Sequence, residues 1–393
     1  MSEKLLEGIR VVDFTWALTG PIASKHLSDL GAEVIKIETN VRLDLQRTGS
    51  SWGSFNQHNS GKLGITVNLK KPRGLELVKQ LIARSDIVVE NFAGGSLEKM
   101  GLGYEVCREL KPDIIMVSSC MQGQTGPFAR HPGIGFRLTA LSGFNHITGW
   151  PDREPGWLGA YTDFIAPRFI ILAVMAGLEY RERTGKGQYL DTSQFEGGIQ
   201  FMAPLLLDYS VNKNEVNRMG NRCEYAAPHN AYRCTGEDRW CAISVFTDEE
   251  WKSFCGVVGP SLAEDSRFAT LAARKENEEE LDVIINRWTS VRSAEDVMNS
   301  LQAAGVAAGV LQTGEDLMEN DPQMKARGFF RTIEHPEVGH YRANSGAHFN
   351  LSKYRYDLQR APLLGEHNEY VFKEIVGISD EEYQALVEDE VLN

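Results

Sequence analysis

A chain of 393 residues supplies enough material for one large domain and a smaller one, each with its own core. Its 42% hydrophobic and 24% charged residues fall in the ordinary soluble range, and the longest uninterrupted apolar stretch, Phe169 to Leu178, is too short to cross a bilayer. A formal net charge of −13 argues against nonspecific nucleic-acid binding, and it requires any anionic ligand to find a locally basic patch on an acidic protein.

The segment Met1 to Gly8 has no basic region followed by an apolar core, so no signal peptide is expected and cytoplasmic residence is the default. The next two hundred residues alternate strand and helix. Ile9 to Phe14 reads as a mostly buried strand, Gly20-Pro21 opens a helix to about Leu30 with proline at its first position, and Ala32 to Ile37 is a second strand. Pro72 opens a helix whose Leu75, Val78, Leu81 and Ile82 share one face. Asp86 to Asn91 and Asp113 to Ser118 are further strands. A long helix follows Asp163 and ends at Gly185 to Gly187, then come a strand at Gln188 to Asp191 and a helix to about Tyr209. Such alternation predicts an α/β fold: a parallel sheet with helices on both faces.

Residues 212–227 are polar and contain Gly and Asn, as a linker does; residues 228–334 read as a smaller α+β domain beginning with the strand Trp240 to Val245. Its charged run Lys275 to Leu281 reads as a solvated helix face. The tail, 335–393, carries strand and helix signals again and is assigned with 1–211 to the large domain.

Several enzyme classes lack their signatures. There is no GxxxxGK[ST], no GxGxxG between a strand and a helix, no GxSxG and no HExxH. The six cysteines, at 107, 120, 223, 234, 241 and 255, show no CxxC spacing and no accompanying His cluster, so free thiols are expected and no metal site. What remains is a set of single residues. Asp163 stands at a helix entrance, where a carboxylate either caps the helix or, helped by unpaired backbone N–H groups, acts as a covalent nucleophile. Asn91 closes a strand, as a loop residue bonded to its own backbone or as an amide donor over a reacting carbonyl. Gly123 to Pro127 and Gly133 to Gly135 are turns or places of close ligand approach. Arg42, Lys62, Lys70, Lys71, Arg73 and Lys99 gather around the loops of the first sheet, most as solvated surface and a subset as a phosphate patch.

The chain resembles the class III CoA-transferases, the group of formyl-CoA transferase and carnitine CoA-transferase that also includes the α-methylacyl-CoA racemases. The resemblance rests on Gly8 to Thr15, Gly20-Pro21, Asp29 to Glu38, Asn59 to Lys62, Val89 to Phe92, Gly101 to Tyr104, Gly123 to Pro127, Asp163, Arg183 to Gln188, Arg218 to Asn221 and Leu364 to His367, all in family order. It implies a Rossmann-like large domain built from both chain ends, a small domain between them, and two subunits interlocked like linked rings. It implies coenzyme A thioesters as substrates and no permanently bound cofactor. Asp163 would attack the donor acyl-CoA to give a mixed anhydride, then carry CoA as an aspartyl thioester until a second anhydride passes it to the acceptor acid.

By position, the resemblance places Asn91 near the thioester and Trp16, Ala17 and Leu18 along the coenzyme A path, with Lys70 and Lys99 facing its phosphates. Arg42 is a further candidate, Thr39 occupying the place of an arginine in the formyl-CoA enzyme. Phe92, Met121 and Gln122 are counted with the coenzyme A contacts. Leu18 stands where formyl-CoA transferase has a catalytic glutamine, and Met121 and Gln122 where it has glycine and tyrosine, which argues against formyl or oxalyl specificity. Trp16, Trp52, Phe55, Phe136, Phe144 and Trp150 suggest a bulky or aryl acceptor, of the kind met in a succinyl-CoA:benzylsuccinate enzyme. Two alternatives stand beside this reading. One is an acyl-CoA racemase or epimerase, opposed by Ile134 where that branch has a histidine. The other is a noncatalytic CoA-binding subunit of a heterodimer.

Overall fold

The computed structural model describes residues 4–48, 52–344, 349–354, 356 and 358–392, without the side chains of Trp52 and Asn344. The chain divides into two compact units. One comprises Met1–Phe144, Leu158–Glu215 and Lys325–Asn393, and the other Asn145–Trp157 and Val216–Met324.

The first unit is built on six parallel strands: β1 (Arg10–Asp13), β2 (Glu33–Glu38), β3 (Leu63–Thr66), β4 (Ile87–Glu90), β5 (Ile115–Cys120) and β6 (Gln188–Ser193), in the order β3-β2-β1-β4-β5-β6. Val11 pairs with Val34 on one side and Ile87 on the other, so the strand order reverses between β1 and β4. In open parallel sheets that reversal opens a crevice beyond the carboxyl ends of the two strands. The strands are short apolar runs because both faces are covered. Val11, Val34, Val89 and Val117 face Ala23, Leu27, Ile170 and Val174, while Val12, Ile35, Val88 and Met116 face Leu77, Leu81 and Phe372.

The helices that matter for the site are α1 (Thr19–Asp29), α2 (Pro72–Ile82), α3 (Gly135–Leu141), α4 (Tyr161–Thr184), α5 (Gln194–Phe201) and α6 (Ala203–Asn212). Helix α1 begins one residue before the expected Gly20, so Pro21 is its third residue; this costs nothing, since first-turn N–H groups have no intrahelical partner. Helix α4 has 24 residues and is long and apolar enough, by length and composition, to cross a membrane. Ile170 and Val174 on it pack against the sheet instead. The expected helix to Tyr209 is two helices, broken at Met202, and α6 buries none of its residues.

The C-terminal segment closes the β3 edge. Asn368 accepts the Thr66 N–H at 2.8 Å, the His367 N–H reaches Gly64 O at 2.9 Å, and the Asn68 N–H reaches Val391 O at 2.9 Å. The Leu364 to His367 segment is therefore a fastening to β3, a strand too short and too interrupted by Gly64 to stand out in the sequence.

The second unit holds a three-stranded antiparallel sheet, β7 (His229–Arg233), β8 (Trp240–Ser244) and β9 (Ala307–Val310). It packs on helices that include α7 (Asp248–Val258), α8 (Glu278–Thr289) and α9 (Ala294–Ala303), with Tyr232, Phe254, Leu281 and Leu301 in one core. Its first strand is β7 rather than the Trp240 strand; only Tyr232 of the five β7 residues is buried, which hides it from pattern reading. The charged run Lys275 to Leu281 is solvated only in part: Glu276, Glu279 and Glu280 are exposed, but Glu278 is buried. Neighbouring Arg274 is fully buried, donating to Ala227 O and Phe268 O with its guanidinium 4.8 Å from the Trp251 ring, and buried Glu278 accepts from Lys275 at 2.8 Å.

Below the β1–β4 crevice lies a buried charge network. Asp13, at the end of β1, accepts the Thr15 N–H at 2.8 Å, the Ser24 hydroxyl at 2.7 Å and the Lys62 ammonium at 2.9 Å. Lys62 further donates to Asn59 Oδ1 at 2.8 Å and Pro21 O at 3.1 Å, so the lysine expected at the surface is a core residue. Burial alone would raise the Asp13 pKa, but Lys62, Lys36 and the two hydroxyls outweigh it and hold the carboxyl below its usual range; burial pushes Lys62 down to about 8. Removing one member strands the other charge. Lys62→Met is expected to destabilise the protein by about 3–5 kcal/mol in urea unfolding, and Asp13→Asn added to it to recover part of that loss.

Candidate active site

The turn from β1 into α1 is the first element of the site. Trp16 gives its N–H to Asn91 Oδ1 and takes Asn91 Nδ2 on its carbonyl, both at 2.8 Å. Asn91 leaves the end of β4, so its amide spans the point where the strand order reverses. The amide is thus committed to holding a loop, not extended free over an incoming carbonyl. Gly20 permits this closeness: a Cβ there would lie 2.5 Å from Thr15 Cβ and 3.0 Å from Asn91 Cγ. Ala17 sits at φ +61°, a left-handed conformation, and donates its N–H to Asp44 at 3.2 Å. Asp44 lies 3.6 Å from buried Lys36, which itself donates to Thr15 O at 2.7 Å. Leu18 is the residue before α1. Arg42 lies over the Trp16 ring, 5.0 Å from its centre.

Asp163 is the second element. It is the third residue of α4, and the residue at the cap position, Ala160, makes no side-chain cap bond, so Asp163 does not cap its helix. Its Oδ1 instead accepts the Thr19 hydroxyl at 3.0 Å. Burial pushes its pKa up to about 6, with the Thr19 bond pulling the other way. Among the described residues no cation pairs with it. The carboxylate rests on Gly135, where any Cβ would overlap it. Thr139 and Thr162 both bond Gly135 O, which fixes the start of α3 beneath the carboxylate.

The loops after β4 and β5 form the third element. Phe92 donates its N–H to Glu90 at 2.7 Å and packs on the core. Gln124 takes the Gly95 N–H at 3.1 Å and gives its own N–H to Asp191 at 3.0 Å, so the Gly123 to Pro127 stretch is tied down by carboxylates. Burial lifts Glu90 to about 7. Met121 accepts the Phe195 N–H at 2.9 Å, and its side chain fills the space beside Gly133. Gln122 has a buried Nε2 without a partner.

Asp163, Trp16, Ala17, Leu18, Asn91 and Arg42 therefore form one connected neighbourhood, and Met121 adjoins it through the 133–135 turn. Lys70 and Lys99 are exposed, and no contact joins them to this group. Of the aromatic set, Trp16 belongs to this neighbourhood and Phe136 follows Gly135 in α3, while the Trp52 side chain lies outside the described residues. Phe55 is fully buried beneath the Arg47 guanidinium, 3.8 Å from its ring, and Phe144 packs edge-on against Tyr161. Thr19 and Asp44 were not singled out by sequence, the only signal being Thr19 directly before Gly20-Pro21 at a helix start; Gly135 was read as a turn or a place of close approach, but not as the bed of Asp163.

A mostly buried carboxylate with no cation beside it, at a sheet crevice, is suited to acyl transfer. The model of CoA-transferase family III matches residues 6–368. The succinyl-CoA–D-citramalate CoA-transferase of Chloroflexus aurantiacus is 33% identical, over 97% of this chain and 96% of that protein. The succinyl-CoA:glutarate CoA-transferase of Mus musculus is 34% identical, over 95% and 87%. A CAIB/BAIF family protein from Brucella suis superposes with a TM-score of 0.86 at 32% identity, over 94% of this chain and 99% of that one. The chain belongs to CoA-transferase family III, and it is a CoA-transferase whose substrates are an acyl-CoA and a carboxylate.

Proposed function

We propose that this enzyme moves coenzyme A between two carboxylic acids with Asp163 as the covalent acyl carrier. The observation that carries the reading is the setting of that carboxylate: set against Gly135 with the Thr19 hydroxyl on one oxygen, mostly buried, and without a counter-cation among the described residues. Desolvation raises its nucleophilicity, and a pKa of about 6 keeps most of it charged. One oxygen of Asp163 attacks the donor thioester carbonyl, the C–S bond breaks, and a mixed anhydride and CoA thiolate result. The thiolate attacks the aspartyl carbon and releases the donor acid as its carboxylate, leaving an aspartyl-CoA thioester. The acceptor carboxylate displaces CoA from that carbon, and the thiolate then takes the acceptor acyl group, freeing Asp163.

We assign the acceptor to the small dicarboxylic acids. The relatives named above act, by their names, on succinyl-CoA with D-citramalate or glutarate. Phe55 and Phe144 are buried side chains, which favours a small acceptor over a bulky or aryl one. The coenzyme A path would run along Trp16, Ala17 and Leu18, with Phe92, Met121 and Gln122 beside it. Arg42, Lys70 and Lys99 are the candidate phosphate partners.

We further propose that two copies of the chain interlock. Leu172, Met175, Phe201, Leu206 and Leu207 are exposed along α4 to α6, an apolar area that a partner would cover. Sedimentation is expected to give a dimer, and Leu206→Glu with Leu207→Glu to give a monomer or insoluble protein.

Asp163→Asn is expected to abolish transfer from succinyl-CoA to glutarate and other dicarboxylates; retained turnover would dismiss the carrier role. The same change removes a carboxylate whose folded pKa lies above its unfolded value of 3.8, so its ionisation penalty is full above about pH 6 and absent below about pH 4. Thermal stability at pH 7 is therefore expected to rise, on the order of 1–3 kcal/mol. In the unsubstituted enzyme kcat/KM should climb with pH to a plateau, with a midpoint of about 6. Gly135→Ala, which must displace the carboxylate, is expected to lower kcat by about 10²-fold while the protein stays folded.

A further inference from the structure

Resting on the carrier role of Asp163, we propose that Thr19 is a second catalytic residue: its hydroxyl stabilises the oxyanion formed on Asp163 itself each time the aspartyl carbon is attacked. Thr19 is 3% exposed, and its Oγ1 lies 3.0 Å from Asp163 Oδ1. It is the first residue of the 11-residue α1, so it stands at the positive end of that helix. Its position is fixed independently of the substrate, by the Asp13 network beneath α1 and by the Asn91 hold on Trp16. A donor fixed in advance needs no reorganisation when charge appears.

The two oxygens of Asp163 are held differently. Both lie over Gly135, but Oδ1 has the Thr19 donor, while among the described residues no hydrogen-bond donor reaches Oδ2. Oδ2 is therefore the oxygen that attacks the donor thioester and becomes the bridge of the anhydride, while Oδ1 remains the aspartyl carbonyl oxygen. When CoA thiolate attacks that carbon, an S–C bond forms and the carbonyl electron pair moves onto Oδ1 as an oxyanion, hydrogen-bonded by Thr19. Its collapse breaks the bond to the bridging oxygen, which departs with the donor acid. When the acceptor carboxylate attacks the aspartyl thioester, the same oxygen bears the charge and the C–S bond breaks instead. Both central steps pass through one oxygen and one donor. The outer steps, in which a substrate carbonyl is attacked, do not use Thr19 in this way.

The test compares Thr19→Val, which keeps the shape, with Thr19→Ser, which keeps the hydroxyl. Succinyl-CoA, acetyl-CoA and benzoyl-CoA are offered in turn, and the thioester that the unsubstituted enzyme turns over fastest is used. Rapid quenching and mass spectrometry follow the aspartyl-CoA adduct on the peptide containing Asp163. Thr19→Val should slow both kcat and appearance of that adduct by about 10²-fold, the usual effect of losing one such donor. Thr19→Ser should lie within about fivefold of the unsubstituted enzyme. The pH midpoint of Thr19→Val should move above about 6, since the lost hydrogen bond favoured the ionised form. An Asp163 adduct that forms in Thr19→Val at an unchanged rate overturns the role of Thr19 alone. If no adduct forms on Asp163 in the unsubstituted enzyme, the carrier role fails and this proposal fails with it.

Discussion

Two opposite charges with no access to water fix the part of this protein on which its chemistry depends. The Asp13–Lys62 pair is fully buried where β1 ends, and its hydrogen bonds reach Thr15, Ser24, Asn59 and Pro21. A buried pair is poor value as a source of stability, because desolvation offsets much of the attraction. Its use here is geometric. It dictates how the chain leaves the sheet and turns into α1, and that turn carries Trp16, Ala17, Leu18 and Thr19. The Asn91 amide holds the same turn from the neighbouring strand. Asp163 comes from a helix far along the chain and meets a donor already set in place.

The contrast between Asp13 and Asp163 shows how environment divides the work of one residue type. Both are largely removed from water. Asp13 is surrounded by two lysines and two hydroxyls and is held ionised and inert. Asp163 has a single hydroxyl, and burial dominates, which lifts it toward neutrality. Groups pushed in opposite directions within one fold often mark structural and reactive roles respectively. A carboxylate kept short of partners lowers stability, and Glu90, which burial also lifts, is a second such group in this fold.

Much of this architecture was legible in the sequence. Strand and helix alternation gave the parallel sheet, since apolar runs bounded by turns are what doubly covered strands require. The β1, β4, β5 and β6 strands fall where such runs lie. β3 and β7 did not stand out, the first for its brevity and Gly64, the second because only Tyr232 is buried. Asp163 could be singled out by motif, but its environment could not. That Lys62 is a core residue, that Arg274 is buried among carbonyls, and that Gly135 is the bed of the carboxylate all depend on contacts between distant segments. Local pattern carries no record of such pairings.

The left-handed backbone at Ala17 bears on how freely the turn from β1 into α1 can change in sequence. A residue with a Cβ at φ +61° tolerates few neighbours in mutation space: glycine relaxes it, asparagine and aspartate fit, and branched or bulky side chains are penalised. Sequence change in this turn is thus channelled to Trp16 and Leu18 on either side, while its central position is closed to exploration by its own backbone.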